Sequence, residues 1–219
     1  MKISCPFYFD MKSWVLTGGI ACGKSLVAEI LKVSMGLRLS LFSADQTVSR
    51  LLDAADMALT ISELFGASAV IQDGQGAQVN KPWLRQKVFE DVEARKLLEG
   101  ILHPKVLADL EMSRNSAEAE GSELFLAEVP LHYEIGSTVT ADLIIVAASS
   151  RTMQVRRLME RRGLEESIIE QMLRSQWPIE AKVERADVVI WNDGDTAALE
   201  AQVLTLARQI WNDESYRKL

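Results

Sequence analysis

Apolar positions along this chain follow two rhythms. Trp14 to Thr17 reads as a short buried strand, and from Lys24 to Ser34 the period lengthens, with Leu26, Val27, Ile30, Leu31 and Ser34 on one helical face. Gly36 stops that helix. Leu37 to Phe42 alternates as a second strand, followed by helical material rich in Leu, Ala and charged residues. The turn QDGQG at 72–76 separates it from a further helical block running from about Trp83 to Ala119. Three later apolar runs, ELFLAEV at 123–129, DLIIVAA at 142–148 and ADVVIW at 186–191, read as buried parallel strands. Thr196 to Trp211 closes the chain with Leu199, Val203, Leu206 and Ile210 at helical spacing. Strands interleaved with helices predict an α/β fold, a parallel sheet with crossover helices on both faces.

Composition narrows the class without naming it. The 219 residues suit one medium domain with a subdomain inserted, and 48% hydrophobic with 25% charged residues is ordinary for a soluble globular chain. A net charge of −7 argues against a surface that coats nucleic acid. No apolar stretch approaches the roughly 20 residues that span a bilayer. The two cysteines, Cys5 and Cys22, lack metal-ligand spacing, and a reducing cytoplasm is the expected setting. MKISCPFYFD at 1–10 stands too close to the glycine-rich segment at 18–25 for a signal peptide, and Met11 is an alternative start.

The strongest chemical signal is VLTGGIACGKS at 15–25, in which Gly18, Gly23, Lys24 and Ser25 fit G-x-x-x-x-G-K-[ST], a loop that holds nucleotide phosphates. At average composition a chance match in a chain of this length has a probability of roughly 1%. An apolar strand precedes the loop and an amphipathic helix comes after it, so backbone N–H groups and the positive helix end converge on one anion. Gly18, Gly19 and Gly23 allow close backbone approach, Lys24 would reach the β- and γ-phosphates, and Ser25 would ligate Mg²⁺. Cys22, beside a lysine at a helix start, is in a setting that lowers a thiol pKa.

A GTP-dependent switch would need further elements. Asp73-Gly-Gln-Gly76 and Asn80-Lys-Pro-Trp83 imitate them, but Trp83 cannot accept the hydrogen bonds that an Asp takes from guanine, and the two segments are too close together. They read as turn and helix-entry chemistry. A small-molecule kinase instead needs a group to orient the attacking hydroxyl and cations around the moving phosphoryl. Asp45, just beyond the second strand, is placed for the first role and equally well as a helix N-cap. Ser25, Asp45 and Glu128 could meet at the carboxyl ends of strands, where ligands bind in such sheets. Residues 151–162 carry five arginines. Arg157 and Arg161, one turn apart, suit a mobile lid over ATP.

Taken in order, these motifs resemble the dephospho-coenzyme A kinase family from Met11 to about Trp211. LTGGIACGKS resembles the family's LTGGIGSGKS, SADQTVSRLL its D-A-D segment, LLEGILHPKV at 97–106 its His-Pro region and EVPLHYE at 128–134 its V-P-L-L-F-E stretch. Gln154, Arg157, Leu158 and Arg161 match its lid, and Gln176, Lys182, ADVVI at 186–190, Asn192 and Gly194 its closing pattern.

The resemblance implies a P-loop kinase-like core at about 11–43, 121–150 and 183–212. It also implies a helical substrate-binding insertion at about 44–120 and a helical lid at about 151–182. The implied reaction is transfer of the γ-phosphoryl of ATP to the 3′-hydroxyl of dephospho-coenzyme A, with no nucleic-acid or membrane partner. Lys24, Asp45 and Arg157 would be catalytic, Asp45 orienting the hydroxyl and Arg157 stabilising the moving phosphoryl. Gly19, Ala21, Cys22, Gly23, Lys24, Ser25, Leu26, Arg161 and Asn192 would bind nucleotide. His103, Pro104 and Glu134 would face the acceptor, and Mg²⁺ would lie on Ser25, with Asp45 or Glu128 through water.

The chain departs from the family at Ser43, which replaces an acidic residue, at Ala21 and Cys22 in the loop, at His132 for a leucine, and at Met172, where Arg174 is a nearby substitute. Those departures leave two alternatives, another small-molecule kinase and a nucleotide-binding relative with weakened catalysis.

Overall fold

The computed structural model describes residues 11–74 and 76–212, apart from the side chains of Asp73, Arg161, Arg162 and 209–212. The N-terminal extension at 1–10 and the Ile210 and Arg161 side chains therefore lie outside the described residues. The elements are β1 (Lys12–Gly18), α1 (Lys24–Met35), β2 (Leu39–Ser43), α2 (Ala44–Leu52), α3 (Ala55–Phe65), β3 (Val70–Asp73), β4 (Gly76–Val79) and α4 (Lys81–Glu90). They continue with α5 (Val92–Ala119), β5 (Leu124–Glu128), β6 (Leu143–Ala148), α6 (Arg151–Arg162), α7 (Glu166–Arg174), α8 (Ile179–Val183), β7 (Val188–Trp191) and α9 (Thr196–Asn212).

Two compact units divide the chain, one from the described residues up to Phe42 and from Ser113 onward, the other from Ser43 to Met112. The first is built on a five-stranded sheet in the order β2-β5-β1-β6-β7. β1 runs parallel to β5 and β6, and β6 parallel to β7; Leu16 stands opposite Glu128 on one side and Ile145 on the other. Being central, β1 is covered on both faces, which is why Val15 and Leu16 both have 0% exposure where an edge strand would alternate. α1 and α9 supply Val27, Leu31, Leu199 and Val203 to the same core. Each such side chain contributes about 1.5–3 kcal/mol by leaving water. Buried Thr17 keeps its hydroxyl satisfied by donating to Pro130 O at 3.2 Å.

The second unit packs Met57, Ile61, Ala69, Val79, Leu84 and Leu102 into its own core. Here two short strands flank the expected turn and one expected helix is divided. The predicted turn at 72–76 is the tip of an antiparallel hairpin, with Val70 opposite Val79. The predicted helix from Trp83 to Ala119 is two helices, broken where Asp91 Oδ1 accepts the N–H groups of Glu93 and Ala94. In the first unit, the strand expected from Leu37 begins at Leu39. Gly36–Arg38 form a 3₁₀ turn that leaves Leu37 fully exposed, so the alternation there had no core to face.

Candidate active site

The loop leaving β1 is held by its carbonyls. Gly18 O accepts from Lys182 Nζ at 3.3 Å and Lys24 Nζ at 3.4 Å, and Gly19 O from Lys24 Nζ at 2.9 Å. Gln154 Nε2 donates to Ile20 O at 2.8 Å, Arg157 Nη1 to Ala21 O at 3.1 Å and Asn192 Nδ2 to Cys22 O at 3.0 Å. Every carbonyl from Gly18 to Cys22 thus has a side-chain donor. With the carbonyls fixed, the opposite face of the loop carries N–H groups. Those of Ala21, Gly23 and Ser25 have no acceptor among the described residues. Such a nest at the start of α1 is an anion site by construction.

Two glycines make this geometry possible. A Cβ on Gly18 would stand 2.1 Å from Ala147 O, and one on Gly23, at φ +90°, would stand 2.3 Å from Asn192 Nδ2. Ala21 adopts φ +58° with a side chain, a conformation glycine tolerates better.

At the loop's end, Ser25 Oγ donates to Glu128 Oε1 at 3.1 Å, bringing together a hydroxyl and a carboxylate that the sequence separates by 103 positions. Cys22 is fully buried. Burial pushes its thiol above the ordinary value, against the charge of Lys24, which corrects the expectation of a lowered pKa.

Arg157 lies on the carbonyl side of the loop, where Nη1 also reaches Ser149 Oγ at 2.9 Å and Nη2 donates to Asn192 O at 2.7 Å and Oδ1 at 3.2 Å. In this arrangement the guanidinium holds the loop from its carbonyl side. Glu134, expected on the substrate side, pairs with wholly buried Lys182 at 2.6 Å and accepts Trp177 N at 3.0 Å. Gln176 Oε1 accepts Ile20 N at 2.9 Å. A cleft of about 330 Å³ opens beside these residues, lined among others by Gly19, Gln154, Arg174, Gln176 and Trp177. Leu26 is half-buried and bonds back to Gly23 O at 3.1 Å.

Asp45, His103 and Pro104 belong to the second unit. Asp45 is exposed in the first turn of α2, and the N-cap is Ser43, whose hydroxyl accepts Gln46 N at 3.5 Å. The alternative reading of Asp45 as the cap therefore falls. His103 is half-buried and Pro104 exposed within α5. Asn80, part of the GTPase imitation, caps α4 by accepting Trp83 N at 3.2 Å.

Gln154, Gln176 and Lys182 were recognisable only as matches to a family pattern, without a role. The one local signal was polarity in a buried register, as with Lys182 three residues after buried Ile179.

Residues 14–198 match the family described as dephospho-CoA kinase. The dephospho-CoA kinase of Syntrophotalea carbinolica is 34% identical over 197 residues, covering 89% of this chain and 90% of that protein. Among solved structures, a Thermus thermophilus protein superposes with a TM-score of 0.75 at 30% identity, covering 90% of this chain and 97% of its own. Dephospho-CoA kinase from Campylobacter jejuni gives a TM-score of 0.67 at 28% identity, covering 90% and 96%.

Proposed function

The chain belongs to the dephospho-CoA kinase family, and from that premise we propose that it transfers the γ-phosphoryl of ATP to the ribose 3′-hydroxyl of dephospho-CoA. The products are CoA and ADP, and the reaction is the last step of CoA biosynthesis, run in the cytoplasm. The observation that carries the proposal is the pinned loop, whose five consecutive carbonyls from Gly18 to Cys22 are held by side chains while its N–H face is left for phosphate. A rigid nest of donors needs no reorganisation when charge develops in the transition state.

Lys24 leaves the loop carbonyls for the β- and γ-phosphates. Asp45, the second residue beyond β2, orients the acceptor hydroxyl and takes its proton. Arg157 and Asn192 keep the loop in shape, and His103 and Pro104 serve the acceptor side.

The chemistry of Ser25 and Glu128 fits Mg²⁺, since both offer hard oxygen donors. Among the described residues no group of three or more His, Cys, Asp or Glu could hold a metal, which suits an ion that takes most of its ligands from water and phosphate. Bound there, it would neutralise charge on the β- and γ-oxygens. Ser25 would hold the ion directly, with Glu128 or Asp45 reached through water.

An acceptor panel tests the proposal. ADP release is measured with Mg-ATP and, in turn, dephospho-CoA, shikimate, nucleosides and nucleoside monophosphates. Turnover is expected with dephospho-CoA above all others. Faster turnover on another alcohol, or none with any acceptor while ATP still binds, would overturn it.

A further inference from the structure

Lys24 cannot serve the phosphates while it holds Gly18 O and Gly19 O. Moving it strips a donor from two carbonyls, and Gly18 is buried, where an unpaired carbonyl is expensive. Each carbonyl, however, has a second donor already in place. Gly19 O accepts Cys22 N at 3.3 Å, and Gly18 O accepts Lys182 Nζ at 3.3 Å.

Lys182 is suited to stay behind. Its exposure is 0%, and Glu134 Oε1 at 2.6 Å balances its charge. Pro130 O lies at 3.5 Å, so the three ammonium protons have three acceptors. Glu134 is itself held by Trp177 N. Lys24 and Lys182 share the acceptor Gly18 O.

We propose that Lys182 is a positioning residue that keeps Gly18 O satisfied while Lys24 moves to the nucleotide, lowering the cost of that movement. The inference rests on ATP being the ligand of the loop. Without Lys182, Lys24 would be the remaining side-chain donor to a buried carbonyl and would be held back from the phosphates. The Lys182→Met change should therefore weaken ATP binding by about tenfold, the factor expected when one buried carbonyl is left unpaired. The loss acts through Lys24, so it should disappear when Lys24 is already absent.

The test is a double-mutant cycle on the full chain, with Mg-ATP affinity measured by calorimetry for wild type, Lys182→Met, Lys24→Met and the double variant, alongside thermal melts. The expected result is a loss of about tenfold on the wild-type background and less than about twofold on the Lys24→Met background. Equal losses on both backgrounds would mean that Lys182 merely supports the fold and would overturn the proposal, as would no loss on either. Absence of ATP binding by the wild type would instead overturn the functional reading itself.

If Lys182→Met does not fold, the wild type still decides. The slowly exchanging side-chain ammonium signal of Lys182, read by nitrogen NMR, should persist when ATP saturates the loop. Its disappearance on saturation would overturn the proposal.

Discussion

Asn192 donates its amide to Cys22 O at 3.0 Å across 170 residues of sequence, while its own two oxygens both accept Arg157 Nη2. The end of β7 and helix α6 thereby share control of one carbonyl pair in the phosphate loop. Arg157 bridges Ala21, Ser149 and Asn192 with a planar fork that a lysine cannot reproduce.

Arg157→Lys is therefore expected to behave more like Arg157→Ala than like wild type. Hydrogen bonds from a charged group contribute about 1.5–3 kcal/mol each, so the KM for ATP should rise by about tenfold or more. Steady-state kinetics at saturating acceptor would show it. A wild-type KM in the lysine variant would mean that charge alone suffices.

The loop's backbone makes opposite demands at two neighbouring positions. Ala21→Gly relieves a positive φ and should raise stability by up to about 1 kcal/mol, without weakening ATP binding. Gly23→Ala combines φ +90° with a 2.3 Å approach to Asn192 and should destroy ATP binding and lower the melting temperature. Thermal melts with and without ATP separate the two, and a neutral Gly23→Ala would contradict the derived loop geometry.

His132 titrates against the fold. Burial, helped by the charge of Lys182 and opposed by Glu134, lowers its pKa, and its Nδ1 is buried with no partner among the described residues. The folded state disfavours the protonated ring, so the contribution is fully present above the ordinary histidine value of 6.5 and is lost as pH falls from there through the folded pKa. His132→Leu should be more stable than wild type and show a flatter decline below pH 6.5 in urea denaturation. An unchanged acid slope would assign the decline to other groups.

The buried Cys22 thiol, raised by desolvation against the pull of Lys24, should resist alkylation. Peptide-resolved iodoacetamide labelling at about pH 8 should modify Cys22 at least about tenfold more slowly in the native protein than in urea. The sign for stability is also fixed: above the ordinary thiol value of 9.0 the native state keeps a proton that the unfolded chain releases, so stability falls as pH rises. Rapid native labelling would place the thiol in a more open loop.

Legibility depended on where each signal lies. β1, α1 and the stop at Gly36 were readable because strand, loop and helix signals are local and sequential. β5 and β6 were readable as apolar runs because strands inside a parallel sheet are covered on both faces, and the edge strand β7, only part-buried, carries a run of the same kind. The hairpin of β3 and β4 was missed although a DG turn sits between VIQ and AQV, since four-residue strands give too little alternation to compete with a bare turn. Ser43 as the cap was also local, in the pattern Ser-x-x-Gln46. The loop's supports were not local. Gln154, Gln176 and Lys182 meet the loop across 134 to 164 residues, a relationship no window on one sequence contains.

The central claim is transfer of a phosphoryl group from ATP to one ribose hydroxyl, and the product's position tests it most directly. Phosphorus NMR of a completed reaction with dephospho-CoA and Mg-ATP should show one new monoester resonance, assigned to the ribose 3′-oxygen by its proton coupling, with one ADP per CoA formed. Lys24→Met should lower the rate by orders of magnitude. A monoester at any other position, or ADP formed without a phosphorylated acceptor, would contradict the account.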